Sequence, residues 1–365
     1  MTINVQNTVT FVIDNHNGSW SQGSGVMIAP DIMLTASHVV ESWDIVQGDP
    51  AATPLPVPFT DIRITPNNTV VGNPFDATGL DGTIAGVSIH YNDVATTPFA
   101  IQGADFAIVK LAHPVTSGYM GINQDFTGGP VTYSGYPAIL DSAGNFVSSG
   151  PMVNVPDVLR NPSDPNIFFD YFSDVHGPGA SGGASWVLGA NGHPEVVSIM
   201  SGLFAGAGIQ AAMDYNSYNE IGMWMAQEGE SPAIALLYQG LLGRSPDKAG
   251  LAAWSSLLVS DMTIPTQSGL NGAARFQSEA SVLNSHLNLV DGFLNSPEFL
   301  SHGPLSNAAF VTQLYESSLG RDPETAGLTG WTAVLDSHSW TREQVVVGIS
   351  ESHEAIHHFS GTLFG

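Results

Sequence analysis

The sequence predicts an all-β barrel or sandwich through about residue 215, followed by a small all-α domain. Two observations carry this reading. In the first part, short β-rich runs alternate with turn residues; beyond it, apolar positions recur at helical spacing within a repeated segment. A third supports them: 40 Gly and 23 Pro imply many turns and favour short strands over long helices in the first part. With 365 residues, 43% of them hydrophobic, the chain is long enough for two domains and apolar enough to bury a core in each.

The strand candidates, in order, are Val9 to Ile13, Gly25 to Ile28, Phe106 to Leu111, Val131 to Tyr136 and Val196 to Met200. Each is bounded by Gly, Pro, Asn or Asp, which is what makes it a strand in a turn-rich fold. YNSYNEIGMWMAQ, 215 to 227, then changes to helical spacing, and EGESP, 228 to 232, reads as a linker. The expected domains are therefore 1–230 and 231–365. In the second, LYQGLLGRSPDKAGLAAW (237–254) returns as LYESSLGRDPETAGLTGW (314–331), so Tyr238, Arg244, Gly250 and Trp254 recur as Tyr315, Arg321, Gly327 and Trp331. GFLNSPEF at 292 and GISESHEA at 348 form a second recurring pair, with an insertion near 260–285 in the first copy. The expected unit is a helix ending at Leu-Gly-Arg, a Pro-containing loop, and a helix packing its Trp inward, with the two Arg in structural ion pairs.

Charge excludes whole classes of partner. Thirty-three Asp and Glu against 8 Lys and Arg give a net of −25, which repels phosphate backbones and anionic lipid. No nucleic acid is expected, nor membrane insertion, since no run approaches the roughly 18 apolar residues of a spanning helix. There is no Cys, hence no disulfide, thiolate nucleophile or Cys-ligated zinc. The opening MTINVQNTVTFVIDNHNGSW lacks the basic start and apolar core of a conventional signal peptide.

Three fragments carry chemistry. GSGVMIAPDIMLTASHVV, 23 to 40, delivers His38 after an apolar strand, a Pro30-Asp31 turn and a second apolar stretch. GADFAIVKL, 103 to 111, sets Asp105 at the mouth of a buried-type strand. HGPGASGGASWV, 176 to 187, holds Ser181 in a glycine-rich loop able to aim two N–H groups at one point beside the serine oxygen, as an oxyanion requires. Alone, each has an ordinary reading: a core histidine, a turn aspartate, a flexible loop. In the order His, Asp, Ser they resemble the trypsin/chymotrypsin-like serine endopeptidases, LTASHVV, DFAIVKL and GASGGA standing for that family's three motifs. SGYP at 134 and VVSIMSG at 196 extend the match over about 8–228. It is closest to the cysteine-free bacterial branch that includes the glutamyl endopeptidases.

The resemblance implies two six-stranded β-barrels, a His38, Asp105 and Ser181 triad, and an oxyanion hole from the N–H groups of Gly179 and Ser181. It implies a primary pocket with its base near Val175 and His176 and its wall at Met200, Ser201 and Gly202, suited to apolar or small side chains. A protein or peptide is the implied substrate, with no cofactor and no metal. Ala180 stands where zymogen-type members carry an Asp that pairs with a freed N-terminus, so activity without processing is expected. A loop within 50–85 is enlarged.

Three other readings compete. The Ser181 loop also fits the nucleophile elbow of α/β-hydrolases, but that fold needs Ser before Asp and His. A catalytically silent barrel acting as a binding module at the cell surface is the main rival. HEAIH, 353 to 357, matches a two-histidine zinc helix, yet Glu354 occupies the slot of Glu298 in the first repeat, which has no histidines there. The C-terminal signature at 232–356 is similar to a bacterial domain of unknown function often attached to proteins exported by type I systems. It implies secretion without an N-terminal signal, and 231–365 as the part that meets the secretion machinery or a surface partner.

Overall fold

The computed structural model describes residues 8–14, 20–40, 62–65, 84–91, 102–114, 118–140, 142, 146–149, 152–160, 167–170, 179–204, 207–261 and 279–364. These divide into two compact units, with the break at Gly222 inside helix Tyr215–Gln227. The boundary expected at 230 lies just past that helix.

The first unit opens with a closed six-stranded barrel. Its strands are β1 (Thr8–Asp14), β2 (Trp20–Ala29), β3 (Ile32–Thr35), β4 (Ile62–Thr65), β5 (Ile84–Tyr91) and β6 (Ala107–Leu111), joined in the order β1-β2-β3-β6-β5-β4 and back to β1. Every pair is antiparallel. Ile32, Met33, Leu34 and Phe106 to Val109 are fully buried, which explains why these two strands read as continuous apolar runs rather than alternating ones. The Pro30-Asp31 turn between β2 and β3 is pinned by Lys110, whose ammonium lies 2.9 Å from the Asp31 carboxylate.

Of strands β7 (Gly121–Ile122) to β15 (Ala207–Ala212), seven form the second β layer, while among the described residues β9 (Ala138–Leu140) and β10 (Phe146–Ser149) pair only with each other. Six of them run β11-β8-β13-β14-β15-β12, where β8 is Gly129–Gly135, β11 Val153–Leu159, β12 Ile167–Asp170, β13 Ala184–Leu188 and β14 Pro194–Phe204. An isolated antiparallel bridge between Arg160 and Phe169 joins β11 to β12 and closes this sheet as well. Its interior holds Val131, Leu159, Phe168, Val197 and Ala212, with Phe126 edge-on to Phe168. The enlarged loop expected within 50–85 contains β4 and the start of β5; most of the rest lies outside the described residues.

The second unit is helical. Ser231 caps helix Pro232–Leu242, and Pro232 sits at the helix's first position, where its missing N–H leaves nothing unpaired. The last two residues of EGESP thus start a helix instead of finishing a linker. Gly243 and Gly320 end their helices at φ of 63° and 66°, a left-handed conformation that Gly adopts without steric penalty. Trp254 stacks on Phe293 at 4.5 Å, and the bare Cα of Gly292 leaves the room for it.

One buried pair in this unit gives its stability a pH dependence. His286, from helix Glu279–Leu294, places Nδ1 2.6 Å from the Glu351 carboxylate, and the other Glu351 oxygen is buried without a partner among the described residues. Burial pushes the His286 pKa down, but the Glu351 charge and hydrogen bond outweigh it and raise the pKa above the ordinary 6.5. A histidine whose folded pKa is raised contributes stability that is complete below about 6.5 and lost as pH climbs through the folded value. The melting temperature of the helical signal is therefore expected to fall as pH rises above about 6.5, and His286→Gln should flatten that slope. Thermal melts followed by circular dichroism check this; stability rising with pH would contradict it.

Candidate active site

His38 lies in the one-turn helix α1 (Ser37–Val40) that directly follows β3. The Ser37 hydroxyl donates to the Phe106 carbonyl at 2.6 Å, which anchors the turn to the segment carrying Asp105. Asp105 then meets His38 twice. Its Oδ2 is 2.7 Å from Nδ1 of the imidazole, and its Oδ1 accepts the His38 backbone N–H at 3.0 Å. The Ser201 hydroxyl donates to the same Oδ2 at 2.5 Å. Asp105 is almost wholly buried, while the imidazole keeps about a quarter of its surface open. Burial pushes the Asp105 pKa up; the charge of His38 and the three hydrogen bonds more than offset it, so the carboxyl titrates below its ordinary value.

The loop 179–183 is fixed through its carbonyls. Gly179 O accepts from the Ser24 hydroxyl at 2.7 Å, and Ser181 O accepts from the Ser24 N–H at 2.9 Å. Ala180 O accepts both the Tyr133 hydroxyl at 2.8 Å and the Gly183 N–H at 2.9 Å. The Gly183 bond makes 180–183 a β-turn, and Gly182 at its third position has φ of +81°, as a type II turn requires. Gly182 N–H donates to Met200 O at 2.9 Å. No acceptor among the described residues takes the N–H of Gly179 or of Ser181. Ser181 itself is half-buried, and Gly182 packs on Ser24, Thr35 and the Ala36 N–H, two positions before His38. Residues 38, 105 and the 179–183 loop therefore share one neighbourhood.

Val175 and His176, expected at the pocket base, lie outside the described residues. Met200 is buried against Tyr133 and Ala180, and the Ser201 hydroxyl donates to Asp105. Apart from its two chain neighbours, no described residue lies within 4 Å of where a side chain on Gly202 would begin. Ser24, Tyr133 and Ser201's bond to Asp105 escaped sequence reading, because each acts on residues at least 47 positions away.

Residues 23–188 match a family model described as a trypsin-like peptidase domain. The first unit carries a trypsin-like peptidase domain. A second model, described as a domain of unknown function (DUF4214), matches residues 290–359. Among solved structures, a Glu endopeptidase in complex with MPD is similar at 19% identity and a TM-score of 0.43, over 62% of this chain and 93% of that one. A scabies mite inactivated protease paralogue is similar at 14% identity and a TM-score of 0.39, over 60% and 93%. No curated protein matches. The two-barrel peptidase fold followed by a helical region is thus the architecture that the sequence implied.

Outside the peptidase domain, HEAIH sits in helix His353–His358, with Glu354 engaged by Arg321 at 2.5 and 3.0 Å. Arg244 grips Glu298 in the same bidentate way at 2.6 and 2.9 Å. Each Arg also lies over a tyrosine ring, Tyr315 and Tyr238, at about 5 Å. Glu354 is held ionised by Arg321, its pKa lowered first by that hydrogen bond. Among the described residues no group of three His, Asp or Glu is placed to hold a metal.

Proposed function

We propose that the protein is a serine endopeptidase that works through His38, Asp105 and Ser181. The contact that carries this reading is the 2.7 Å bond between His38 Nδ1 and the buried Asp105 carboxylate. It leaves the imidazole's other nitrogen as the group able to accept a proton from Ser181. Ser181 Oγ attacks the peptide carbonyl, and His38 takes its proton and later returns it to the leaving amine. Asp105 fixes the tautomer and stabilises the imidazolium, while the unengaged N–H groups of Gly179 and Ser181 receive the oxyanion. Because Ala180 carries no charge, the reading includes activity without a freed N-terminus. A fluorophosphonate probe should label the full-length chain, and peptide mapping should put the adduct on Ser181. A chelator should leave turnover intact. An unlabelled, folded protein would instead favour the silent binding module.

Secretion is proposed on separate grounds. The acidic, cysteine-free composition and the C-terminal signature support export through 231–365. The paired Arg–Glu clamps support two copies of one helical unit there. Immunoblots of culture medium and cells decide the matter: full-length protein confined to the cytoplasm would end the claim.

A further inference from the structure

We propose that Tyr133 positions the oxyanion donor, holding the Ala180–Ser181 peptide so that the Ser181 N–H points at the developing charge. The proposal rests on the peptidase reading and names a residue that the triad motifs do not contain. In a trans peptide the C=O and N–H lie in one plane and point in opposite directions. Whatever fixes the Ala180 oxygen therefore fixes the Ser181 hydrogen, and two donors fix that oxygen. One, the Gly183 N–H, belongs to the same turn and moves with it. The other, the Tyr133 hydroxyl, comes from strand β8 and is the external anchor.

The anchor is built for the task. Tyr133 is fully buried in the middle of β8 and packs with Ala180 and Met200. A side chain on Gly135 or Gly183 would strike the Tyr133 hydroxyl, so these two glycines form the slot that the hydroxyl fills. The neighbouring peptides are held from different groups, Gly179 O by the Ser24 hydroxyl and the Gly182 N–H by Met200 O. Tyr133 thus braces the peptide that presents the Ser181 N–H, one of the two donors assigned to the oxyanion. Ala180 offers no carboxylate with which an ion pair could do the same.

Tyr133→Phe removes the hydroxyl and keeps the ring. A lost oxyanion donor lowers kcat by about 10²–10³-fold, and a donor that is loosened but still present should lose roughly 10–100-fold on the same scale. The expected result is a kcat reduced in that range with KM unchanged. Affinity for a peptide boronic acid, which forms a tetrahedral adduct on serine, should fall by a similar factor. p-Aminophenylalanine at 133, whose N–H can reach the Ala180 carbonyl, should restore kcat; this comparison also settles the case if the Phe variant folds poorly. Amide exchange of the 180–183 segment should accelerate in Tyr133→Phe whether or not the protein turns over peptide. A wild-type protein that neither labels with fluorophosphonate nor cleaves would refute the peptidase reading, and the exchange result then decides the Tyr133 contact by itself. Unchanged kcat, a loss confined to KM, or unchanged exchange in a folded Tyr133→Phe protein would overturn the proposal.

Discussion

Peptide turnover by Ser181→Ala and by His38→Ala is expected to fall by about 10⁴-fold or more in each variant, and the double variant should be scarcely worse than either. The reasoning is that nucleophile and base act as one unit. A serine hydroxyl without a base is a poor nucleophile, and an imidazole without the hydroxyl has no acyl acceptor to serve. Neither substitution should unfold the protein. Ser181 is half-buried and anchored through its backbone carbonyl, which alanine keeps, and the His38 ring is partly open to solvent. Steady-state kinetics on one peptide, together with melts of all three variants, make the test. Near-wild-type turnover in either single variant would remove that residue from the mechanism.

Gly182→Ala should be nearly as severe for activity and worse for the fold. The backbone at 182 has φ of +81°, which a side chain resists by roughly 1–2 kcal/mol. The added methyl would also collide with the Ser24 carbonyl and the Thr35 hydroxyl, both held within the first barrel. Overpacking of this kind costs about 1–3 kcal/mol, so a total near 3 kcal/mol and a melting temperature lowered by about 10 °C are expected. Gly192→Ala separates the two contributions. Gly192 has φ of +80° but open space where a methyl would stand, so only the backbone part should appear. Equal losses in the two variants would show that the collision is relieved at no cost.

The strands were legible because turn residues punctuate them. Val9 to Ile13 lies within β1 and Phe106 to Leu111 contains β6, each bounded as its flanking residues suggested. The closure of the second sheet was legible only through the family resemblance, since in the structure it hangs on a single bridge between Arg160 and Phe169 that no periodicity encodes. In the site, His38, Asp105 and Ser181 stood out because their chemistry is tied to short local motifs. The bond from the Ser201 hydroxyl to Asp105 had no local signal, because its partner lies 96 positions earlier. In HEAIH the register argument rests on Glu354, which matches Glu298, and each of these two is clamped by its own arginine.

Ser24 has a consequence for how the chain behaves while it is being made. Its side chain joins the first barrel to Gly179 and also accepts the Tyr136 N–H, so one hydroxyl on β2 bonds both to the turn and to the segment after β8. The turn needs Met200 as well, which enters only with β14. On the peptidase reading, a ribosome-bound fragment that stops short of that strand has His38 and Asp105 but no braced loop, and is expected to cleave nothing. On that reading, activity is expected only once synthesis has passed β14, the last strand that the loop depends on.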